Sequence, residues 1–309
     1  MGREMTYLLA TSARHIKGIL GNRKKLHLKQ FPSGEMRIII SDDVAGEDVF
    51  LVGSVLPDAN SLLELLIAAD LLKRKGARVQ LVILYFAYAR QDKPDDREPF
   101  TAKIVCQVLQ TAGFEKTYVM DVHSAGLKRF LGFENVMPVD LFSKALARVK
   151  NPVIVAPDRG GIERAQAVAR LMNAETACIQ KERLGSGKVR SLNLEGDVKG
   201  HHAIIVDDMI DTGGTIIGAA RLLKACGARD VYVVATHGVF SMDATTRLQA
   251  SPIKAVIVTN TLLPVRRSPK IKVMKIEPVI HRLFEAAAPR RTRAENGLVG
   301  LLEDEIAIE

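Results

Sequence analysis

The sequence has no tryptophan, only three cysteines, and aromatic residues at just 5% of its 309 positions. Cys106, Cys178 and Cys226 lie far apart, which excludes a disulfide framework and a cysteine-rich metal site. Such thiols are expected to be small buried side chains in a reduced, cytoplasmic protein. No apolar run approaches the length of a bilayer span, and the first residues lack the pattern of a secretory leader. No membrane partner is expected. The net charge of +9 is spread over clusters such as Arg23–Lys25, Lys73–Lys75 and Lys181–Arg190, without interleaved aromatics or a helix-turn-helix pattern. Nucleic acid is therefore not expected as a partner, and a polyanionic small substrate accounts better for the charge.

What is present is regular alternation. Apolar strand candidates at Val49–Val52, Val79–Tyr85, Thr117–Asp121, Val153–Ala156, Thr176–Ile179, Ala203–Val206, Val231–Thr236, Ala255–Thr259 and Ile271–Ile276 alternate with helical segments. The helices are expected at Ser61–Lys75 (with Asn60 as N-cap), Thr101–Thr111, Ile162–Met172, Thr215–Cys226 and Val279–Ala287. This order predicts an α/β fold of parallel sheets covered by helices. An internal repeat adds to it: Leu71-Leu72-Lys73-Arg74-Lys75-Gly76-Ala77-Arg78 recurs as Leu222-Leu223-Lys224-Ala225-Cys226-Gly227-Ala228-Arg229. Each copy lies between two apolar strands, so the chain reads as a duplicated α/β domain. The expected division is 1–147, 148–288 and a charged tail, 289–309, expected to be partly disordered.

One stretch carries the chemistry. The apolar run Ala203–Val206 leads into Asp207-Asp208, then Asp211-Thr212-Gly213-Gly214-Thr215, then a helix. A small-residue loop opening a helix offers free N–H groups to an anion, and no Lys follows the glycines, so this is not a Walker loop. A phosphate about 7 Å from one carboxylate would feel roughly 2 kcal/mol of repulsion at an effective dielectric near 20. The acidic pair is therefore expected to face hydroxyls or a metal while the loop holds phosphate; a phosphorylated sugar satisfies both. The first copy of the repeat reads Gly53-Ser54-Val55-Leu56-Pro57-Asp58-Ala59-Asn60 at this point and lacks both features.

Other polar groups fall at strand ends or in turns: Phe31-Pro32-Ser33-Gly34-Glu35, Tyr85 to Lys93 with Arg90, Gln91 and Asp92, Asp121-Val122-His123, Asp158-Arg159-Gly160-Gly161, and Lys181-Glu182-Arg183. An aromatic ring and an arginine can sandwich a nucleobase. A basic, glycine-containing loop such as 181–190 suits a mobile clamp on a transferring phosphoryl group.

In this order, Phe31-x-Ser33-Gly34-Glu35, Tyr85-Phe86-x-Tyr88-Ala89-Arg90-Gln91-Asp92, Met120-Asp121-x-His123, Pro157-Asp158-x-Gly160-Gly161, Lys181-x-Arg183 and Asp207-Asp208-Met209-Ile210-Asp211-Thr212-Gly213-Gly214-Thr215 resemble the ribose-phosphate pyrophosphokinase (phosphoribosyl pyrophosphate synthetase) family. The resemblance implies tandem duplicated type I phosphoribosyltransferase-like domains, each a mostly parallel sheet flanked by helices. It implies transfer of the β,γ-diphosphoryl group of ATP to the 1-hydroxyl of ribose 5-phosphate, with Mg²⁺ required. Carried over by residue, Asp211, Thr212, Gly213, Gly214 and Thr215 would hold the 5-phosphate, and Asp207 and Asp208 the ribose hydroxyls. Arg90, Gln91, Asp92 and His123 would contact ATP, with Phe31, Ser33 and Glu35 completing the adenine site from a neighbouring subunit. His123 and Asp158 would serve the metal, and Lys181 and Arg183 would be catalytic. A homo-oligomer is implied, a dimer or a hexamer built from dimers.

Three departures stand out: Ser33 replaces the family's common Asp, Glu182 interrupts a Lys-Arg-Arg run, and Ser124–Arg129 lacks the glutamines associated with phosphate activation. Activity is therefore expected to be independent of inorganic phosphate; a steep activation in a phosphate titration would rule this out. Two alternative readings are a non-catalytic regulatory subunit and a transferase consuming the diphosphate product. The first leaves Lys181, Arg183, Asp158 and His123 without a chemical need, and the second gives no role to Arg90-Gln91 or the duplicated half.

Overall fold

The computed structural model describes residues 5–94, 96–183, 189–263 and 268–287, the side chains of 181–183 and 189–192 excepted. The tail expected from residue 289 lies outside the described residues. The first half contains β1 (Thr6–Leu9), β2 (Asn22–Arg23), the hairpin β3 (His27–Gln30) and β4 (Met36–Ile39), β5 (Asp48–Val55), α1 (Ala59–Arg74), β6 (Arg78–Phe86), α2 (Thr101–Thr111), β7 (Lys116–Met120), α3 (Lys128–Leu131) and β8 (Phe133–Val136). There follow α4 (Val139–Leu146), β9 (Pro152–Ala156), α5 (Ile162–Met172), β10 (Glu175–Arg183), β11 (Val189–Glu195), β12 (His202–Ile210), α6 (Gly214–Ala225), β13 (Val231–Gly238), α7 (Ala244–Gln249), β14 (Ile253–Thr259), β15 (Ile271–Met274) and α8 (Glu277–Ala287).

Two main sheets result. The first runs β2-β1-β5-β6-β7-β8 and is parallel throughout; the second runs β11-β10-β9-β12-β13-β14-β15, with only the β10–β11 pair antiparallel. The expected parallel sheets are present for the expected reason. Strands such as Val49–Val52 and Ala203–Val206 are fully buried, and an apolar side chain on both faces requires cover on both faces. The repeat is structural too: Val49 pairs with Val79 and Ala203 with Val231, so the β5–α1–β6 and β12–α6–β13 units share a register.

Three details differ from expectation. The N-cap of α1 is Asp58, whose carboxylate accepts from the Ser61 N–H at 2.9 Å; Asn60 already lies in the first turn. β12 does not stop at Val206 but carries Asp207 and Asp208 within it, because β13 keeps pairing as far as Ile210↔Gly238. Cys106 is buried, Cys178 half-buried, but Cys226, at the end of α6, is exposed.

Packing also crosses the chain midpoint expected at 147/148. Phe142 and Leu146 of α4 belong to the core of the second sheet, with Ile154, Val168 and Ile204. At the other end of the chain, α8 returns to the first sheet. Its Val279, Ile280, Leu283 and Phe284 pack with Tyr7, Leu9, Phe50 and Val52, and the Phe284 ring stacks on Phe50 with centroids 4.0 Å apart. Among the described residues no helix is long and apolar enough to cross a membrane.

Candidate active site between the two sheets

The carboxyl ends of strands from both sheets meet at one junction, the place where α/β folds expose loops and bind ligands. From the second sheet come Asp207 and Asp208 in β12, Thr236 and His237 in β13, and Asp158 just beyond β9. From the first come Asp121 and His123 just beyond β7 and Arg90 beyond β6. His123, expected to serve ATP and the metal, is bonded directly to the acidic pair. Asp208, its side chain 5% exposed, accepts from His123 Nδ1 at 3.0 Å. Its second oxygen lies 4.0 Å from Nη1 of Arg164, a residue of α5.

These contacts make the two adjacent carboxylates unequal. Burial pushes Asp208 upward, but the hydrogen bond from His123 and the charge of Arg164 outweigh it and hold its carboxyl at about 2. Burial and the neighbouring Asp208 charge push Asp207 well above the ordinary carboxylate value. The pair thus places its first negative charge on Asp208. His123 is correspondingly raised, chiefly by its bond to Asp208.

The loop after β12 has the form expected of an anion cradle. Gly213 is left-handed (φ 75°) and provides no side-chain cap to α6, so the first N–H groups of the helix are directed at the loop without a side-chain acceptor. Left-handed φ is strained for residues with a Cβ, which is the reason for glycine there. Arg247 Nη1 donates to the Thr212 carbonyl at 3.3 Å. Asp211 is bonded across the junction: Arg90 Nη1 reaches its Oδ2 at 2.6 Å. Burial raises the Asp211 carboxyl, but Ser241 and Arg90 overcome it and leave the group below its usual range.

Asp158 caps the short turn Arg159–Gly161, accepting from Gly160 N–H at 3.1 Å. Cys178 of β10 pairs with Ala156 of β9, so Lys181 and Arg183 lie on backbone that runs beyond that point, on the same edge as Asp158; their side chains are outside the described residues. Among the described residues, no contact brings Phe31, Ser33 and Glu35 to the junction. They sit on the exposed turn of the β3–β4 hairpin, where Ser33 Oγ donates to Glu35 Oε2 at 2.8 Å. Phe31 is 47% exposed, and the cation over its ring is Arg37, 6.0 Å from the centroid, rather than Arg90. Gln91 is exposed and Asp92 half-buried on the loop after β6.

Sequence reasoning missed a buried set that joins the halves. Arg164 Nε donates to both oxygens of Asp121 at 2.9 and 3.1 Å, with Nη2 2.8 Å from Oδ1. Thr236 donates to the same carboxylate, and His237 Nε2–H to the Met120 carbonyl at 3.1 Å. Polar residues at the ends of otherwise apolar strands, Asp121 and Thr236, were the available sign; Arg164 had none. Among the described residues, no three His, Cys, Asp or Glu side chains cluster as a metal site.

Comparison with known proteins places this geometry in a lineage. Residues 8–113 match the model of the N-terminal domain of ribose phosphate pyrophosphokinase, and 183–301 that of a phosphoribosyl synthetase-associated domain. Ribose-phosphate pyrophosphokinase A of Dictyostelium discoideum is 37% identical over 292 residues, spanning 91% of this chain and 90% of its own. The chain belongs to the ribose-phosphate pyrophosphokinase family. A relative in Caldanaerobacter subterraneus subsp. tengcongensis is 41% identical over 83% of each chain. The crystal structure of phosphoribosylpyrophosphate synthetase from Mycobacterium smegmatis superposes with a TM-score of 0.77 at 33% identity, covering 92% of this chain and 98% of that one. The fold is accordingly that of tandem type I phosphoribosyltransferase-like units, and this member of the ribose-phosphate pyrophosphokinase family is a diphosphotransferase enzyme. The regulatory-subunit and base-transferase readings are set aside by the same agreement along the chain.

Proposed function

We propose that the enzyme binds ribose 5-phosphate on the β12–α6 loop and moves the β,γ-diphosphoryl group of ATP onto the sugar's 1-hydroxyl, releasing AMP. The observation that carries this reading is the contact between His123, from the first half, and Asp208, from the second. It puts a residue assigned to the nucleotide beside a residue assigned to the sugar. The N–H groups at the start of α6 and the loop Asp211–Thr215 would take the 5-phosphate, and Asp207 and Asp208 the ribose hydroxyls. Arg90 would leave Asp211 for the ATP phosphates: half-exposed ion pairs of this kind contribute about 1 kcal/mol or less, so the exchange is cheap. Lys181 and Arg183 would neutralise charge on the group in flight. Such transfer is positioning and electrostatics, with no covalent intermediate required.

Mg²⁺ fits the residues present. It binds through one or two protein groups together with substrate phosphates and retained waters, so the lack of a three-residue cluster among the described residues is no obstacle. Asp208 occupies Nδ1 of His123, so Nε2 would be the nitrogen left to serve as a ligand, with the carboxylate fixing the ring. Asp158 would be the second group. The ion would supply charge neutralisation on the triphosphate.

The exposed hairpin carrying Phe31, Ser33 and Glu35 is assigned to a neighbouring subunit's adenine site, which makes the active form at least a dimer. Within each chain we propose two lobes, 1–147 and 148–288, with α4 and α8 each lodged in the other lobe's core. A cytoplasmic location follows from the free thiols and the phosphorylated substrates. The test is AMP formation from ATP, dependent on both ribose 5-phosphate and Mg²⁺. AMP is expected only when all three are present. Absence of AMP from folded, oligomeric protein would sink the proposal.

A further inference from the structure

Arg164 has no part in the chemistry described so far, yet it is the most committed side chain at the junction. It rises from α5 in the second lobe, 10% exposed, and clasps Asp121, wholly buried, from the first. Two of its three nitrogens, Nε and Nη2, are spent on that carboxylate. The third, Nη1, is aimed at Asp208 Oδ1, 4.0 Å away. A guanidinium is planar and rigid, so fixing one edge in a bidentate grip fixes where the remaining nitrogen points. Asp121 is itself immobilised. Its backbone is left-handed (φ 41°), an uncommon state for a non-glycine residue. Its N–H donates to the Val136 carbonyl at 3.0 Å, and Thr236 holds its carboxylate. Asp208 is therefore set between two groups anchored to the first lobe, His123 on one oxygen and Arg164, through Asp121, facing the other.

We propose that Arg164 is a positioning residue for the acceptor sugar, using Asp121 as its anchor to aim Asp208, so that the sugar-binding carboxylate takes its orientation from the nucleotide-side lobe. This rests on the reading of Asp207 and Asp208 as ligands of ribose 5-phosphate. Its consequence is directional. Loosening Arg164 disturbs the sugar's affinity first, because Asp208 is the group it faces. On the nucleotide side only His123 is linked to it, through Asp208. Arg90, Gln91 and the hairpin make no contact with Arg164 among the described residues, so affinity for ATP is expected to change far less than affinity for the sugar.

The experiment compares Arg164→Lys, Arg164→Met and the double variant Asp121→Asn/Arg164→Met with the wild type. It measures KM for each substrate, kcat, melting temperature, and direct calorimetric binding of ribose 5-phosphate. Arg164→Met alone strands a buried carboxylate, whereas the double variant removes both charges together, a change that a folded core tolerates far better. The expected result is a rise of about tenfold or more in the KM and dissociation constant for ribose 5-phosphate in the double variant, with KM for ATP within about twofold, as for loss of ground-state binding. Lysine restores charge without the fork and is expected to recover part of the affinity. Sugar affinity within twofold of wild type in the folded double variant overturns the proposal. So does a parallel loss in both substrates' affinities that tracks melting temperature, which would mark a merely structural pair. Wild type that binds ribose 5-phosphate without forming AMP counts against the proposed reaction, while the binding comparison still decides the role of Arg164. Wild type that does not bind the sugar overturns both.

Discussion

Phe284→Ala is expected to destabilise the protein by about 3–5 kcal/mol, the range for emptying a well-packed aromatic site. The side chain is 1% exposed, stacks on Phe50 at 4.0 Å and lies 6.0 Å from Tyr7. Neither partner can collapse into the void, because Phe50 is on a central strand of a six-stranded sheet and interiors are packed at crystal density. The location of the damage is the sharper expectation. Although Phe284 lies near the C-terminal end of the described chain, the amides that lose hydrogen-exchange protection are expected in β1 and β5, at the start of it. Loss confined to the second sheet, or a change in denaturation midpoint equivalent to less than about 1 kcal/mol, would show that α8 is not part of the first core.

The same helix shows where sequence reading reaches its limit. Strands buried on both faces announce themselves as apolar runs, and the α6 and α5 boundaries follow from periodicity and from glycine at the turn. Nothing local says which of two sheets an amphipathic helix will cover, and α8 follows β15 yet serves β1 and β5. In the β3–β4 hairpin, β3 escapes notice for another reason: His27, Lys29 and Gln30 are exposed, so no apolar run marks it, whereas Ile38-Ile39 does mark β4 and lacks only a marked partner. At the site, the residues with a chemical reputation were legible, and Asp121 stood out as a polar strand end, but its partner Arg164 and their pairing did not. Their pairing spans 43 positions and two lobes, and a helical arginine is ordinarily a solvated charge.

The duplication explains why only one half keeps the acidic pair. By register, Gly53 in β5 stands where Asp207 stands in β12. A Cβ at Gly53 would lie 2.7 Å from Leu65 Cδ2 and 3.0 Å from Ala10 Cβ. In the first lobe α1 has settled onto the strand end, and the space that holds a carboxylate in the second is filled with leucine. The first half therefore lacks room for the same device, and the contribution proposed for it comes through the loops beyond β6 and β7 and the β3–β4 hairpin instead.

Lys181→Ala is expected to lower kcat by a factor on the order of 10²–10³, about 3–4 kcal/mol, the amount lost with one electrostatic contact to a developing transition-state charge. The placement of the backbone supports the choice. β10 leaves β9 at Cys178 and continues paired only with β11, Lys181 opposite Leu192, so residue 181 lies on a two-stranded arm projecting past the sheet edge that bears Asp158. The side chain of Gln180, one residue before, already reaches the turn after β9, where it accepts from Arg159 at 3.3 Å. The backbone of this arm is placed to bring residue 181 toward a triphosphate bound beside Asp158. Affinity for both substrates is therefore expected to stay within about threefold while turnover falls, the mark of an interaction made only in the transition state. Arg183→Ala should act in the same direction, and the double variant less than additively if both cations serve one charge. A large rise in KM with turnover unchanged would instead make Lys181 a ground-state ligand of the nucleotide and move the transition-state charge to another residue.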